Sequence, residues 1–128
     1  MKCLFDNNMS PKLAKTLNFL EGDYGITVEH LKEKFPSNIA DIELINKLSE
    51  EGNWFVITQD NNIRKRSNER KAWLNARIPI VFLQKLWVKQ DFWETAWRYW
   101  PKLKETINYN RKKISFELSI KGKITEIA

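Results

Sequence analysis

Asp6, Asp41 and Asp60 are the residues from which chemistry can be argued. Asp6 closes an apolar run, Cys3-Leu4-Phe5. Asp60 follows a second such run, Trp54 to Thr58, and Asp41 stands near the start of a segment with helical apolar spacing. Hard divalent ions such as Mg²⁺ take oxygen ligands. Clustered carboxylates repel one another, so an ion relieves a strain the fold would otherwise carry. A metal held in this way activates water and neutralises charge on a phosphodiester. With one His and one Cys in the chain, a Zn²⁺ site built on nitrogen and sulfur is excluded. No glycine-rich phosphate loop is present, which argues against a nucleoside triphosphate ligand. Each aspartate also has a local reading. Asp6 could bond loop amides near Asn7 and Asn8. Asp41 could be a first-turn acid favoured by the helix dipole, three residues after an Asn38 cap. Asp60 could open an Asx turn into Asn61.

The three carboxylates meet only if the intervening elements carry them to one place. Lys2 to Asp6 reads as a short buried strand. Ser10-Pro11 is a helix start, a hydroxyl cap followed by proline, with Leu13, Leu17 and Leu20 at helical spacing. Ile26 to Leu31 reads as a second strand with Ile26, Val28 and His30 on one face. After a Phe35-Pro36-Ser37-Asn38 loop, Ile39, Ile42, Ile45 and Leu48 mark a helix with Ile39, Ala40 and Asp41 in its first turn, ended by Gly52. Trp54 to Thr58 is nearly all apolar, as expected of a strand buried on both faces. A helix over Ser67 to Ala76, capped by Ser67, precedes a strand from Pro79 to Leu83. Asp91 to Tyr99 reads as a helix with Trp93, Trp97 and Trp100 on one side, kinked or restarted at Pro101 and reaching Ile107. From Ile114 onward apolar and polar residues alternate. Lys121-Gly122 is the expected turn of a hairpin returning over Lys123 to Ile127. Strands alternating with helices predict a mostly parallel α/β sheet of four to five strands, flanked by helices, with this C-terminal hairpin added. Ligands of such sheets bind at the carboxyl ends of the strands, where strand order reverses. Asp6 and Asp60 lie at carboxyl ends, and a helix entered from the second strand begins at the same rim.

Composition narrows the function classes. At 128 residues the chain has the length of one domain, and no internal repeat, low-complexity tract or linker divides it. Its longest apolar run falls well short of the ~18 residues that span a bilayer. No export signal is read at the N-terminus, and the lone Cys3 reads as a small buried apolar side chain in a reducing compartment; both point to the cytoplasm. Net charge is +6, with basic residues grouped at Arg64, Lys65, Arg66, Arg70 and Lys71 and again at Arg111 to Lys113. Such clusters either attract polyanions, nucleic acid foremost, or simply solvate the surface.

Leu4-Phe5-Asp6-Asn7-Asn8-Met9-Ser10-Pro11 resembles the opening motif of the PIN-like domain found in VapC-type toxins of toxin–antitoxin pairs. Val28-Glu29-His30-Leu31 with Phe35-Pro36, Asp41 before an apolar helix, Val56-Ile57-Thr58-Gln59-Asp60 followed by Ile63-Arg64, and the Trp87, Trp97 and Trp100-Pro101 tail are similar to the same family. The resemblance covers roughly Lys2 to Leu103. It leaves residues 108–128 as a divergent β extension of one domain spanning 1–128. It implies a Rossmann-like α/β fold and an endoribonuclease that depends on Mg²⁺ or Mn²⁺, with RNA as substrate and an antitoxin protein as partner. A second copy of the chain, forming a homodimer, is a further partner to test. By the same resemblance Asp6, Asp41 and Asp60 are the catalytic metal carboxylates. Thr58 supports the Asp60 loop, and Asn8 orients ligands or substrate. Asn62 stands where many members carry another acid, which implies one metal rather than two, or an inactive module that binds RNA or a protein.

Other residues keep two readings. Arg64, Lys65 and Arg66 either hold the RNA backbone or form a solvated run. Glu69 either supplies the acid missing at Asn62 or is a first-turn helix acid. His30 is an acid/base or metal-supporting group, or a buried histidine bonded to backbone. The tryptophans stack on bases or pack a core. A phospho-receiver switch needs an acidic pair after the first strand, and Asn7 does not supply it.

Overall fold

A computed structural model describes residues 1–22, 25–59, 67–83, 100–109, 115–118 and 123–126. The first strand, β1 (Lys2–Phe5), is followed by helix α1 (Pro11–Glu21). The Ser10 hydroxyl accepts from the Leu13 amide at 3.2 Å, and Pro11 occupies the first turn where its missing N–H is of no consequence. Strand β2 (Thr27–His30) leads directly into a single-turn helix, α2 (Leu31–Lys34), then α3 (Asp41–Glu51). Strand β3 (Trp54–Thr58), helix α4 (Ser67–Asn75) and strand β4 (Ile80–Leu83) follow. Helix α5 (Trp100–Tyr109) and strands β5 (Ser115–Leu118) and β6 (Ile124–Glu126) complete the described elements.

The strands form one sheet in the order β2-β1-β3-β4-β5-β6. The first five run parallel, and β6 pairs antiparallel with β5 in the hairpin expected from the alternating tail. From β1 the chain goes out to β2 on one side and then crosses back to β3 on the other. Strand order therefore reverses between β1 and β3, and the loops leaving their carboxyl ends diverge to open a crevice.

Alternation along the strands divides the core into two layers. Cys3, Phe5, Phe55, Ile57 and Val81 face α1 and α5, meeting Leu13, Leu17, Trp100 and Leu103. Leu4, Trp54, Val56, Ile80 and Phe82 face the other way, meeting Leu31 and Phe35 beside α2, Leu44 and Leu48 of α3, and Trp73 of α4. Every residue of β3 and β4 is buried, which explains why those runs lack polar alternation. Cys3 is fully enclosed, and burial pushes its thiol pKa up, so it is a packing residue. Among the described residues no helix is long and apolar enough to cross a membrane.

Two local expectations are corrected. The second strand stops at His30, and Leu31 opens α2, whose start is fixed by the His30 side chain accepting from the Lys32 amide at 3.1 Å. Ile39 and Ala40 lie before α3 rather than in its first turn. Its cap is Ala40, with no side-chain hydrogen bond, so Asn38 does not cap it. A helix segment restarting at Pro101 is found as one of the two expectations had it: α5 carries the proline in its first turn and runs to Tyr109. The expected helix over Asp91 to Tyr99, with Trp93 and Trp97, lies outside the described residues, as does Trp87.

Candidate metal and nucleic-acid site

Asp6 stands immediately past β1, on the switch-point side of the strand. Its amide continues the β1–β3 ladder by donating to the Ile57 carbonyl at 3.1 Å. Its carbonyl then accepts from the Met9 amide at 2.9 Å, closing a tight turn over Asp6-Asn7-Asn8-Met9. Two side chains brace this turn against the end of β3. The fully buried Thr58 hydroxyl donates to Asp6 Oδ2 at 2.9 Å. Asn8 Oδ1 accepts from the Gln59 amide at 3.2 Å and lies 3.5 Å from the Thr58 hydroxyl. The Thr58 hydroxyl thus steadies the Asp6 carboxylate, and Asn8 ties the first loop to the backbone one residue before Asp60.

His30 fixes the far end of the same turn. It pairs with Phe5 in the β1–β2 register and is 1 % exposed. Its Nδ1 accepts from the Lys32 amide, so the ring proton belongs on Nε2, which lies 2.7 Å from the Met9 carbonyl. Both ring nitrogens are therefore used on backbone. His30 is the buried, backbone-bonded histidine of the two readings, and it positions the Asp6 turn.

Asp41 is the first helical residue of α3 and is exposed at the rim. The chain brings it to the same place as Asp6. A cavity of about 210 Å³ between the sheet and the α2–α4 layer is lined by Asp6, Asn8 and Asp41, together with Lys32 and Glu69. Glu69 sits in the first turn of α4, half-buried, and lines the same cavity as the two aspartates. Among the described residues no three His, Cys, Asp or Glu side chains converge tightly enough to hold an ion by themselves. Asp60, Asn62, Arg64, Lys65 and Arg66 lie outside the described residues. The donor set that lines the cavity is made of oxygen, and the two alternatives are removed by geometry: His30 is committed to backbone and Cys3 is sealed in the opposite layer. That chemistry suits a hard divalent cation and not a thiophilic one.

The class defined by this arrangement is a parallel α/β domain with carboxylates at its topological switch point. The family model for a PIN like domain matches residues 1–85, and the chain belongs to the PIN-like domain family, whose members are generally nucleases. No curated protein and no solved structure matches the chain. The matched span ends just past β4, so α5 and the β5–β6 hairpin extend the sheet beyond it.

Proposed function

We propose that the chain is a metal-dependent endoribonuclease and the toxin component of a toxin–antitoxin pair. The observation that carries this reading is the meeting of Asp6, from the end of β1, and Asp41, from the start of α3, in one oxygen-lined cavity of a PIN-like domain. Asp6, Asp41 and Asp60 hold Mg²⁺ or Mn²⁺, and Asp60 completes a set that the two described aspartates leave open. Such an ion supplies charge neutralisation for the scissile phosphodiester and acidifies an attacking water.

The residues of the chain do the rest. Thr58 holds the Asp6 carboxylate in a fixed rotamer, and Asn8 couples the Asp6 turn to the segment entering Asp60. Lys32, at the cavity wall, offers a cation to the RNA backbone, and Arg64, Lys65 and Arg66 extend that track. Water attacks phosphorus, the P–O bond to the leaving ribose oxygen breaks, a rim carboxylate takes the water's proton, and the leaving oxygen takes up a proton from solvent. An antitoxin protein would silence the site by covering it.

RNA cleavage by wild type and Asp6→Asn, with Mn²⁺ and with chelator, tests the reading. Cleavage by wild type alone, abolished by chelator, is the expected result; equal cleavage by both proteins overturns it. Asn62, standing where many PIN domains carry an acid, supports a second reading, a module that binds RNA or protein without cutting. RNA binding that survives with no hydrolysis under any divalent metal would select it.

A further inference from the structure

Lys2, Lys15, Lys34, Lys47 and Lys104 each bond a carboxylate, at 2.8 to 3.9 Å. Lys12 and Lys32 are exposed and have no such partner among the described residues. Lys71 on α4 and Arg77 past its end are likewise unpaired, but neither stands in the first turn of a helix. Lys12 does. It is the second residue of α1, and that first turn holds no acid. The start of a helix disfavours a cation by about 0.3–1 kcal/mol. Lys12 therefore serves neither its helix nor an ion pair, and its charge is left for an anion outside the chain.

Both lysines border the Asp6 turn. Lys32 lines the cavity that Asp6 and Asp41 share. Lys12 follows the turn by way of Ser10 and Pro11, in the α1 layer on the other side of the sheet. Lys15, one turn further along α1, bonds Glu33 of α2 at 3.0 Å. Lys12 and Lys32 therefore stand on the two helices that this ion pair joins. Between the cavity and Lys12 the chain presents Asn7, Asn8 and Ser10, all exposed and none charged. The Ser10 oxygen accepts from the Leu13 amide, which leaves the hydroxyl proton to donate. Two unpaired cations separated by neutral polar groups suit a strand of spaced anions with hydroxyls between them.

We propose that Lys12 and Lys32 are a two-point clamp on the backbone of single-stranded RNA. Lys32 holds a phosphate at the cavity, the strand passes over Asn7, Asn8 and Ser10, and Lys12 holds a phosphate on the α1 side. The neutral ridge meets the riboses and their 2′-hydroxyls, which both donate and accept. Contacts of this kind fix where a strand lies without reading its sequence. The scissile phosphodiester is thereby set across the Asp6 turn. The assignment deepens the ribonuclease reading and rests on it, and it adds α1 to the surface that RNA touches.

The test is the salt dependence of RNA binding by the full chain, read as fluorescence anisotropy of a short labelled single-stranded RNA in chelator. Each phosphate contact on a single strand adds about 0.7 to the slope of log affinity against log salt. Lys12→Gln and Lys32→Gln should each lower the slope by about 0.7, and the double variant by about 1.4. The loss should be the same for RNAs of different sequence. Lys47→Gln removes an equal charge that is already paired with Glu43, and it should leave the slope as in wild type. A Lys12→Gln slope equal to wild type overturns the clamp. So does an equal fall in Lys47→Gln, which would mark a general effect of net charge. Absence of RNA binding by wild type overturns it as well. The two readings fail separately. Asp6→Asn should lose cleavage in Mn²⁺ and keep both lysine contributions to the slope. Cleavage by Asp6→Asn at the wild-type rate would sink the nuclease reading and leave the slopes standing. Unchanged slopes beside abolished cleavage would sink the clamp alone.

Discussion

Trp54, Trp73 and Trp100 are all buried, yet they sit in two kinds of surroundings. Trp54, near the amino ends of the strands, donates its indole N–H to Glu51 at 2.9 Å and lies under the ammonium groups of Lys2 and Lys34. Lys34 in turn bonds Glu51 at 3.2 Å. Trp100, behind the sheet, donates to Glu21 at 3.0 Å, and Lys104 reaches the same carboxylate at 2.8 Å. In both places the polar atom of the aromatic has a protein partner, as expected of groups whose task is to hold elements together. Trp73, at the carboxyl edge, has none for its indole. That edge also gathers Asp6, Asp41 and Glu69 around a cavity. The difference separates a structural polar network, which is closed by protein partners, from a carboxyl edge where carboxylates gather around a cavity and a buried indole N–H stays unpaired.

The comparison breaks if the open edge proves dispensable. Asp6→Asn and Asp41→Asn each remove a charge while keeping shape, and in the first the new side-chain carbonyl would still accept from Thr58. Each should lower RNA cleavage by on the order of 10³-fold or more, the scale of lost metal stabilisation. Thermal stability should hold or rise, because carboxylate repulsion is relieved. A variant that cuts RNA normally in a gel assay would put the chemistry elsewhere.

Thr58→Val tests whether the brace behind Asp6 matters to the site or only to folding. Removing the hydroxyl should weaken Mn²⁺ binding and activity about 10–100-fold, the range for groups that orient metal ligands. Thr58→Ser should restore most of it. Calorimetric Mn²⁺ affinity is the measurement. Equal affinity in Thr58→Val would show that Asp6 is positioned by its backbone bonds alone.

At the closed edge the loss should appear as stability. Burial pushes the Glu21 carboxyl upward, but hydrogen bonds from Lys104 and Trp100 and the Lys104 charge outweigh it and hold the pKa below its ordinary 4.5. Glu21→Gln should destabilise the fold by about 1–3 kcal/mol in urea unfolding near neutral pH. A folded pKa below the unfolded one adds stability above the unfolded value, and that stability is lost as pH falls through the folded one. The gap between wild type and variant should therefore narrow as the pH drops below the ordinary 4.5. A gap that widened on acidification would contradict the ion pair.

Much of this organisation was legible from residue types. Buried strands announced themselves as apolar runs, Ser10-Pro11 as a helix start, and the alternating tail as a hairpin, because each depends on local spacing. The convergence of Asp6 and Asp41 followed from topology alone, since parallel strands and their following helices share a rim. What escaped was set by tertiary partners. Helix α2 depends on an imidazole capping the Lys32 amide, which no helical apolar pattern signals. The start of α3 lacks a side-chain cap, so the Asn38 signature misled. Trp73 and Trp100 look alike in sequence, and only their neighbours distinguish an unpaired indole from a paired one. Asp60 and the basic run behind it lie outside the described residues.

The smallest effect concerns the turn that leads away from Trp73. Helix α4 ends with the Ile78 amide bonding the Trp73 carbonyl at 3.3 Å and the Arg77 amide bonding the Leu74 carbonyl at 3.1 Å. This is the paired C-terminal closure in which the residue after the cap is left-handed and usually glycine. Here it is Arg77, exposed, at φ 56°. A side chain is disfavoured in that region, and glycine would relieve it, although glycine also loosens the unfolded chain. Arg77→Gly should therefore raise stability by about 0.5–1 kcal/mol, less than the ~1–2 kcal/mol of the left-handed penalty itself. RNA cleavage should stay as in wild type, since the turn is closed by its own backbone bonds. A fall in stability would mean that the Arg77 side chain contributes more than its backbone strain removes. A changed cleavage rate would mean that the closed turn and the cavity are mechanically one unit, which would blur the division between the two regions.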